Sequence, residues 1–267
     1  MPPRDLAGLI AQARSAPADA ATAARALALV DLTSLAGDET AADIEALCRR
    51  AVRHRTAAVC IYADHVPLAR RLLDGSGVRL ATVASFPEGS EDILAAAEEA
   101  AAAVAAGADE VDVVAPISAI LEGDTGIVGE LVEACRTAMG PGPALKLILE
   151  TGVLEKPELI AAAARAAVMA GVDFLKTSTG KAAVGATLEA AAVLLAVCAE
   201  ADGRVGFKAA GGIRTTADAA AYLALADALV EPGWASPRRF RFGASGLLDD
   251  LLRTLGQGGE GGRAGGY

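Results

Sequence analysis

Lysine is scarce in this chain: five residues against nineteen arginines in a length of 267. Where only a solvated cation is wanted the sequence uses arginine, so a lysine that is kept marks a need that a guanidinium cannot meet. Lysine can lose its proton, and arginine in practice does not. Histidine is nearly absent, with only His54 and His65, and the four cysteines Cys48, Cys60, Cys135 and Cys198 have neither metal-ligand spacing nor close pairing. This argues against a zinc site and a disulfide framework, and leaves the cysteines as reduced core residues. Positive charge is not in excess either. A net charge of -10 and a pI near 4.8 lack the basic footprint that nucleic acid or an acidic membrane surface requires. Long unbroken apolar runs are missing as well: Ala-Leu-Ala-Leu-Val-Asp-Leu-Thr has Arg25 before it and Asp31 within it, and the alanine run after Ile93 is interrupted by Glu98 and Glu99. The expectation is a cytoplasmic protein with no signal peptide and no membrane span. With aromatics at only 3%, many helices must pack closely on alanine.

The chain is nonetheless 53% hydrophobic and 22% charged, enough for one large domain with a substantial core. One theme recurs along it: a short β-rich run, a polar or glycine-rich turn, then an alanine-rich amphipathic helix. The predicted strands are Leu27–Leu32, Ala57–Ile61, Arg79–Val83, Glu110–Val114, Leu145–Leu149, Asp173–Thr177, Gly206–Ala209 and Phe240–Gly243. Eight strands alternating with helices point to an α/β fold, a (β/α)8 barrel with its active site at the C-terminal strand ends. An open dinucleotide-binding sheet fits less well, because no Gly-x-Gly-x-x-Gly follows the first strand. The economical division is a single barrel domain over residues 1–255, with an extra N-terminal helix at about residues 4 to 26, and a flexible tail over 256–267.

Three of the five lysines sit at the ends of predicted strands: Lys146, Lys176 and Lys208. Alternation along each strand puts Asp31 on one face with Leu29 and Thr33, Asp112 with Glu110, Lys146 with Glu150, and Lys176 with Phe174 and Ser178. If those faces point inward, the barrel mouth gathers Lys146, Lys176 and Lys208 against Asp31, Asp112 and Glu150, since isolated buried ions are expensive and clustered ones less so. Burial or a neighbouring cation lowers an ammonium pKa, and the free amine can then form a Schiff base with a carbonyl compound. A purely structural ion network would show the same pattern.

A second constellation follows the last three strands, where the chain reads Thr-Ser-Thr-Gly-Lys, Ala-Ala-Gly-Gly-Ile-Arg and Gly-Ala-Ser-Gly. Barrels often hold phosphate after strands seven and eight, on backbone amides that glycine leaves accessible. The candidate donors are Gly211, Gly212, Gly243, Ser245 and Gly246, with Lys181 and Arg214 supplying charge.

Seven motifs then fall into one order: Val-Asp-Leu-Thr at Asp31, Val-Cys-Ile-Tyr at Cys60, Gly-Ala-Asp-Glu-Val-Asp-Val-Val at Asp112, Leu-Lys-Leu-Ile-Leu-Glu-Thr-Gly at Lys146, Asp-Phe-Leu-Lys-Thr-Ser-Thr-Gly-Lys at Lys176, Gly-Phe-Lys-Ala-Ala-Gly-Gly-Ile-Arg-Thr at Lys208 and Phe-Arg-Phe-Gly-Ala-Ser. From about residue 27 to the end, the chain resembles the deoxyribose-phosphate aldolases. The resemblance implies a class I aldolase, with no metal and no cofactor, that reversibly cleaves 2-deoxy-D-ribose 5-phosphate to D-glyceraldehyde 3-phosphate and acetaldehyde. It implies Lys176 as the Schiff-base lysine, Lys208 as the cation that depresses its pKa, Asp112 as the proton-handling carboxylate and Asp31 as its helper near Lys208. Substrate and phosphate contacts are implied for Thr33, Cys60, Lys146, Thr177, Gly180 and Lys181 and for the glycine loops named above. The implied partners are small phosphosugars and aldehydes and, as in relatives, a second copy of the chain in a homodimer.

The tail Gly-Gln-Gly-Gly-Glu-Gly-Gly-Arg-Ala-Gly-Gly-Tyr has the composition of a flexible segment with a reach of roughly 17 to 20 Å. By resemblance, Tyr267 would fold back to assist protonation at the site. The chain departs from the family pattern at Ala63, Ser85, Glu88 and Gly246, the last replacing a frequent serine and so removing one hydroxyl from the phosphate loop. A phosphosugar isomerase working without a covalent step, or a catalytically silent sugar-phosphate sensor, would need the same loops.

Overall fold

Eight short parallel strands close on themselves in the computed structural model, which describes residues 6–257. They are β1 (Val30–Thr33), β2 (Ala58–Cys60), β3 (Arg79–Ala84), β4 (Glu110–Val114), β5 (Ala144–Ile148), β6 (Phe174–Lys176), β7 (Gly206–Ala210) and β8 (Phe240–Ala244). Each pairs with its sequence neighbour, and β8 returns to β1 with Asp31 opposite Gly243. The fold is a (β/α)8 barrel. All eight predicted strands are present, β4 with the predicted bounds and the others with ends that differ by one to three residues; the first begins at Val30 because the preceding helix runs to Leu27.

The alternation of side chains divides the strands into two surfaces with different chemistry. One set, including Val30, Leu32, Val59, Leu80, Val111, Val113, Leu147, Phe207, Phe240 and Phe242, joins the helices in one continuous apolar core. Its closest aromatic packing is Phe240 against Phe242, at 4.9 Å between ring centres. The other set lies inside the barrel. On the side of β2 and β3 this interior is filled by Ala58, Cys60, Ala81 and Val83 with Leu35, a small separate apolar cluster. On the remaining side it is filled by charge.

The helices show why so few aromatics suffice. The helix Ile93–Ala105 buries Ala96, Ala97, Ala100 and Ala103 on one face and packs closely on the helix Gly126–Met139. Thr40 and Thr215 open their helices with reciprocal capping boxes to Asp43 and Asp218, satisfying first-turn amides in the loops after β1 and β7.

The single N-terminal helix expected from the sequence is two helices, α1 (Leu6–Arg14) and α2 (Ala20–Leu27). Pro17 separates them, and Asp19 caps α2 by accepting the Thr22 amide at 2.9 Å. Both pack against the helix Thr216–Leu229 outside the barrel.

Candidate active site

Strand register brings the charged side chains together. Asp112 is paired with Lys146 across β4 and β5, and Lys176 with Lys208 across β6 and β7. Asp112 lies at the centre: its Oδ1 accepts from Lys146 Nζ at 2.6 Å, and its Oδ2 accepts from both Lys176 and Lys208 at 2.8 Å. Lys208 also donates to Asp31 at 2.6 Å. Below this layer, Arg241 bridges Asp31 (2.6 Å) and Glu110 (2.8 and 3.1 Å), and Lys146 reaches Glu110 at 2.8 Å. The Phe174 ring closes the base, 5.9 Å from Lys146 Nζ and 5.6 Å from the Arg241 guanidinium carbon.

Two glycines make room for this packing. A Cβ on Gly206 would lie 2.5 Å from the Phe174 ring, and one on Gly243 would lie 2.9 Å from Lys208 Cε.

Charge balance separates the lysines. Within the buried set, Asp31, Glu110 and Asp112 are matched one for one by Lys146, Lys208 and Arg241, so a charged Lys176 would be the surplus cation. The directions of the pKa shifts agree. For Lys176, burial is the largest influence and lowers the ammonium pKa; Lys208 lowers it further, against the opposing pull of Asp112. For Lys208, burial acts the same way, but Asp112 and Asp31 together outweigh it and drive the pKa up. Lys146 is likewise raised by Asp112 and Glu110 in spite of burial. Burial opposes ionisation of Asp112, yet its three ammonium neighbours hold the carboxyl well below the usual range. The Asp31 carboxyl is held at about 2 against burial, by Arg241 and Lys208. The depression of Lys176, which the sequence assigns to Lys208, therefore owes more to burial.

A cavity of about 480 Å³ opens over Lys176 at the C-terminal ends of the strands. It is lined by Thr33, Thr179, Gly180, Gly211, Gly212, Arg214, Gly243, Ser245 and Gly246 as well as Lys176. Gly211 and Gly212 both have positive φ, +86° and +83°, a consecutive pair that side-chain-bearing residues rarely adopt. Gly246 caps the helix Leu247–Thr254, whose start has no side-chain cap, so its first amides are available to an anion. The helix after β7 differs, because Asp218 already accepts the amides of Arg214 and Thr215. Arg214 lines this cavity, but its amide is already taken by Asp218.

Several expected ligand contacts are placed elsewhere. Lys146 is fully buried beneath Asp112 and has no surface in the cavity. Cys60 is equally buried, in the small apolar cluster of the interior. Thr177 exchanges hydrogen bonds with Ala210, donating to its carbonyl and accepting from its amide. Lys181 extends from the β6 loop to the Leu35 carbonyl at 2.5 Å, spanning the mouth. Glu150 is not part of the ion network: its φ of 43° turns the chain out of β5, and its carboxylate accepts from the amide (3.1 Å) and hydroxyl of Thr179. Tyr267 lies outside the described residues.

Glu110, from the N-terminal side of the layer, is the further carboxylate partner of Lys146 that Glu150 was expected to be, and Arg241 is a member that the candidate set lacks. The signal for Arg241 is present in the sequence: one cation between two phenylalanines in a strand, Phe240-Arg241-Phe242, must face away from the apolar layer both rings join. Among the described residues no three His, Cys, Asp or Glu side chains are grouped as metal ligands, and no helix is long and apolar enough to cross a membrane.

Residues 25–251 match the family described as DeoC/LacD family aldolase. Among solved structures, a protein of Coccidioides immitis provisionally named deoxyribose-phosphate aldolase is similar at 29% identity, with a TM-score of 0.79 over 94% of this chain and 96% of that one. A protein described as QR15, an aldolase, is similar at 28% identity and TM-score 0.72, over 85% and 96% of the two chains. The deoxyribose phosphate aldolase of Aeropyrum pernix, a tetramer, shares the fold at 23% identity and TM-score 0.72, over 93% and 97%.

Proposed function

The chain belongs to the DeoC/LacD family of aldolases, and on that premise we propose that it is a class I enzyme that cleaves 2-deoxy-D-ribose 5-phosphate reversibly to D-glyceraldehyde 3-phosphate and acetaldehyde through a Schiff base on Lys176. The observation that carries this reading is the place of Lys176, the surplus cation of the buried ion network and the one of its lysines that borders the cavity. Lys176, which borders the cavity, is pushed toward the free amine, while Lys208 behind it is held charged.

In the proposed reaction the lone pair of Lys176 Nζ attacks C1 of the open-chain aldehyde, and loss of water gives a protonated imine. A proton then leaves the C3 hydroxyl and C3 becomes a carbonyl. The electrons of the C2–C3 bond pass into the C1–C2 bond and neutralise the iminium nitrogen. The three-carbon phosphate departs, C2 takes a proton, and water hydrolyses the two-carbon imine to acetaldehyde. Asp112 accepts from the amine that reacts, so it orients Lys176 and passes protons between the two lysines and water. Because its own carboxyl is held ionised, it retains no proton for long. Asp31 and Arg241 keep Lys208 in place from below.

The cavity's size suits a five-carbon phosphosugar, and the Gly211–Gly212 turn, Ser245, Gly246 and Arg214 supply an anion cradle in the same cavity that Lys176 borders. A homodimer belongs to the same proposal, and the exposed Leu94 and Met169 on outer helices provide apolar surface for it. No feature of the site favours the isomerase or sensor alternatives.

Incubation with 2-deoxy-D-ribose 5-phosphate, with acetaldehyde followed through an NADH-dependent alcohol dehydrogenase, tests the reaction. Stoichiometric acetaldehyde and glyceraldehyde 3-phosphate are expected; turnover of another phosphosugar without acetaldehyde would replace the substrate assignment.

A further inference from the structure

We propose that the opposite, N-terminal face of the barrel holds a second binding site, for a small phosphate-bearing polyanion. A cavity of about 630 Å³ opens there among the strand starts, lined by Arg55, Arg79, Arg238 and Arg241. Four of the chain's nineteen arginines thus meet in one depression of a protein whose net charge is -10.

The carboxylates in the same lining neutralise Arg241, which is buried against Glu110 and Asp31, but leave the other three with little or no compensation. Glu110 is already held by Arg241 and Lys146, and Arg79 approaches it only at 3.5 Å with a side chain that is 47% exposed. Asp173 is occupied by Arg136 and by the Leu145 amide at 2.8 Å. Arg55 and Arg238 have no carboxylate partner among the described residues, and both are exposed. Arg55 ends the helix Ala41–His54 at φ 53° and ψ 46°, a left-handed position that glycine takes more readily. An arginine there gives up backbone ease to present its guanidinium at the cavity rim.

Clustered like charges repel, and guanidinium groups pair with phosphate oxygens by parallel hydrogen bonds, so a ligand with two or more negative charges matches the lining. The volume admits a sugar phosphate or a mononucleotide. The site is spatially separate from the Lys176 cavity, since the two lie at opposite ends of the strands and share no lining residue, although Arg241 and Glu110 at its floor belong to the ion network beneath Lys176.

Titration of the ¹⁵N-labelled protein with inorganic pyrophosphate at constant ionic strength, followed by amide chemical shifts, tests the proposal. Saturable shifts are expected at Arg55, Gly77 and Arg238, with the Kd read there raised at least about tenfold in the double variant Arg55→Ala/Arg238→Ala. Both side chains are exposed, so the variant should fold, and shifts at Gly212 and Gly246 in the other cavity should follow the wild-type curve. Shifts confined to Gly212 and Gly246, shifts that rise linearly without saturating, or a Kd unchanged in the double variant would each overturn it.

Discussion

Lys176 and Lys208 are the same residue type, adjacent across one strand pair and both buried, yet their pKa values move apart. The difference lies in carboxylate supply. Lys208 contacts Asp31 and Asp112, while Lys176 has only a share of Asp112, which also holds Lys146. Replacing Lys208 by methionine should therefore act on Lys176 in two ways with the same sign. It removes a repelling cation, and it leaves Asp112 with fewer competing partners. Both favour the ammonium form, so the acidic limb of kcat/KM against pH should move to higher pH, with roughly 10²-fold lower activity near pH 7 that partly recovers as pH rises. A limb that stays in place, or moves to lower pH, would show that Lys208 does not set the ionisation of Lys176.

At the scale of the element, much of the arrangement was legible in the sequence, because alternation along a strand reports which side a residue faces. It grouped Asp31, Asp112, Lys146 and Lys176 each with the neighbours on its own face, and those side chains meet inside the barrel, with Lys208. It does not report depth along the barrel axis, which depends on register and strand tilt. Lys146 and Cys60, for which the resemblance implies ligand contacts, are buried, while Glu150, in line with Lys146, is carried out of the network by its left-handed backbone. Thr177 differs for another reason: the amide and carbonyl of Ala210 take up its hydroxyl, a long-range pairing with no local sequence signal. The split of the N-terminal segment was foreshadowed by Pro17 and Asp19.

Close packing between β7 and β8 gives an element-level test. In a Gly243→Ala variant the new Cβ would meet Lys208 Cε at 2.9 Å and Ala210 Cβ at 3.0 Å, so one or both must move. The expected cost is about 1–2 kcal/mol in urea unfolding and about tenfold in kcat through displacement of Lys208. Loss of stability with kcat unchanged would show that Lys208 is placed by its carboxylate partners alone.

For the whole molecule, the interior ion network ties folding to pH. The folded Asp31 carboxyl, at about 2, lies below its unfolded value of 3.8. Between those two values the unfolded chain binds more protons, so this contribution is complete above about pH 4 and is lost as pH falls toward 2. It amounts to about 2 kcal/mol at neutral pH. Asp112 acts in the same direction. Asp31→Asn should lower stability at pH 7, because Arg241 and Lys208 lose a buried partner, by about 3–5 kcal/mol, and should also flatten the dependence of the urea midpoint between pH 4 and 2. An unchanged slope in that window would assign acid unfolding to groups outside the barrel interior.

The most direct test of the account is reduction with borohydride in the presence of acetaldehyde, followed by peptide mapping. The account predicts one ethyl group on Lys176, activity lost in step with its incorporation, and no labelling of Lys176→Ala. An ethyl group on Lys208 instead, or an active enzyme that acquires none, would contradict the assignment of Lys176 as the nucleophile.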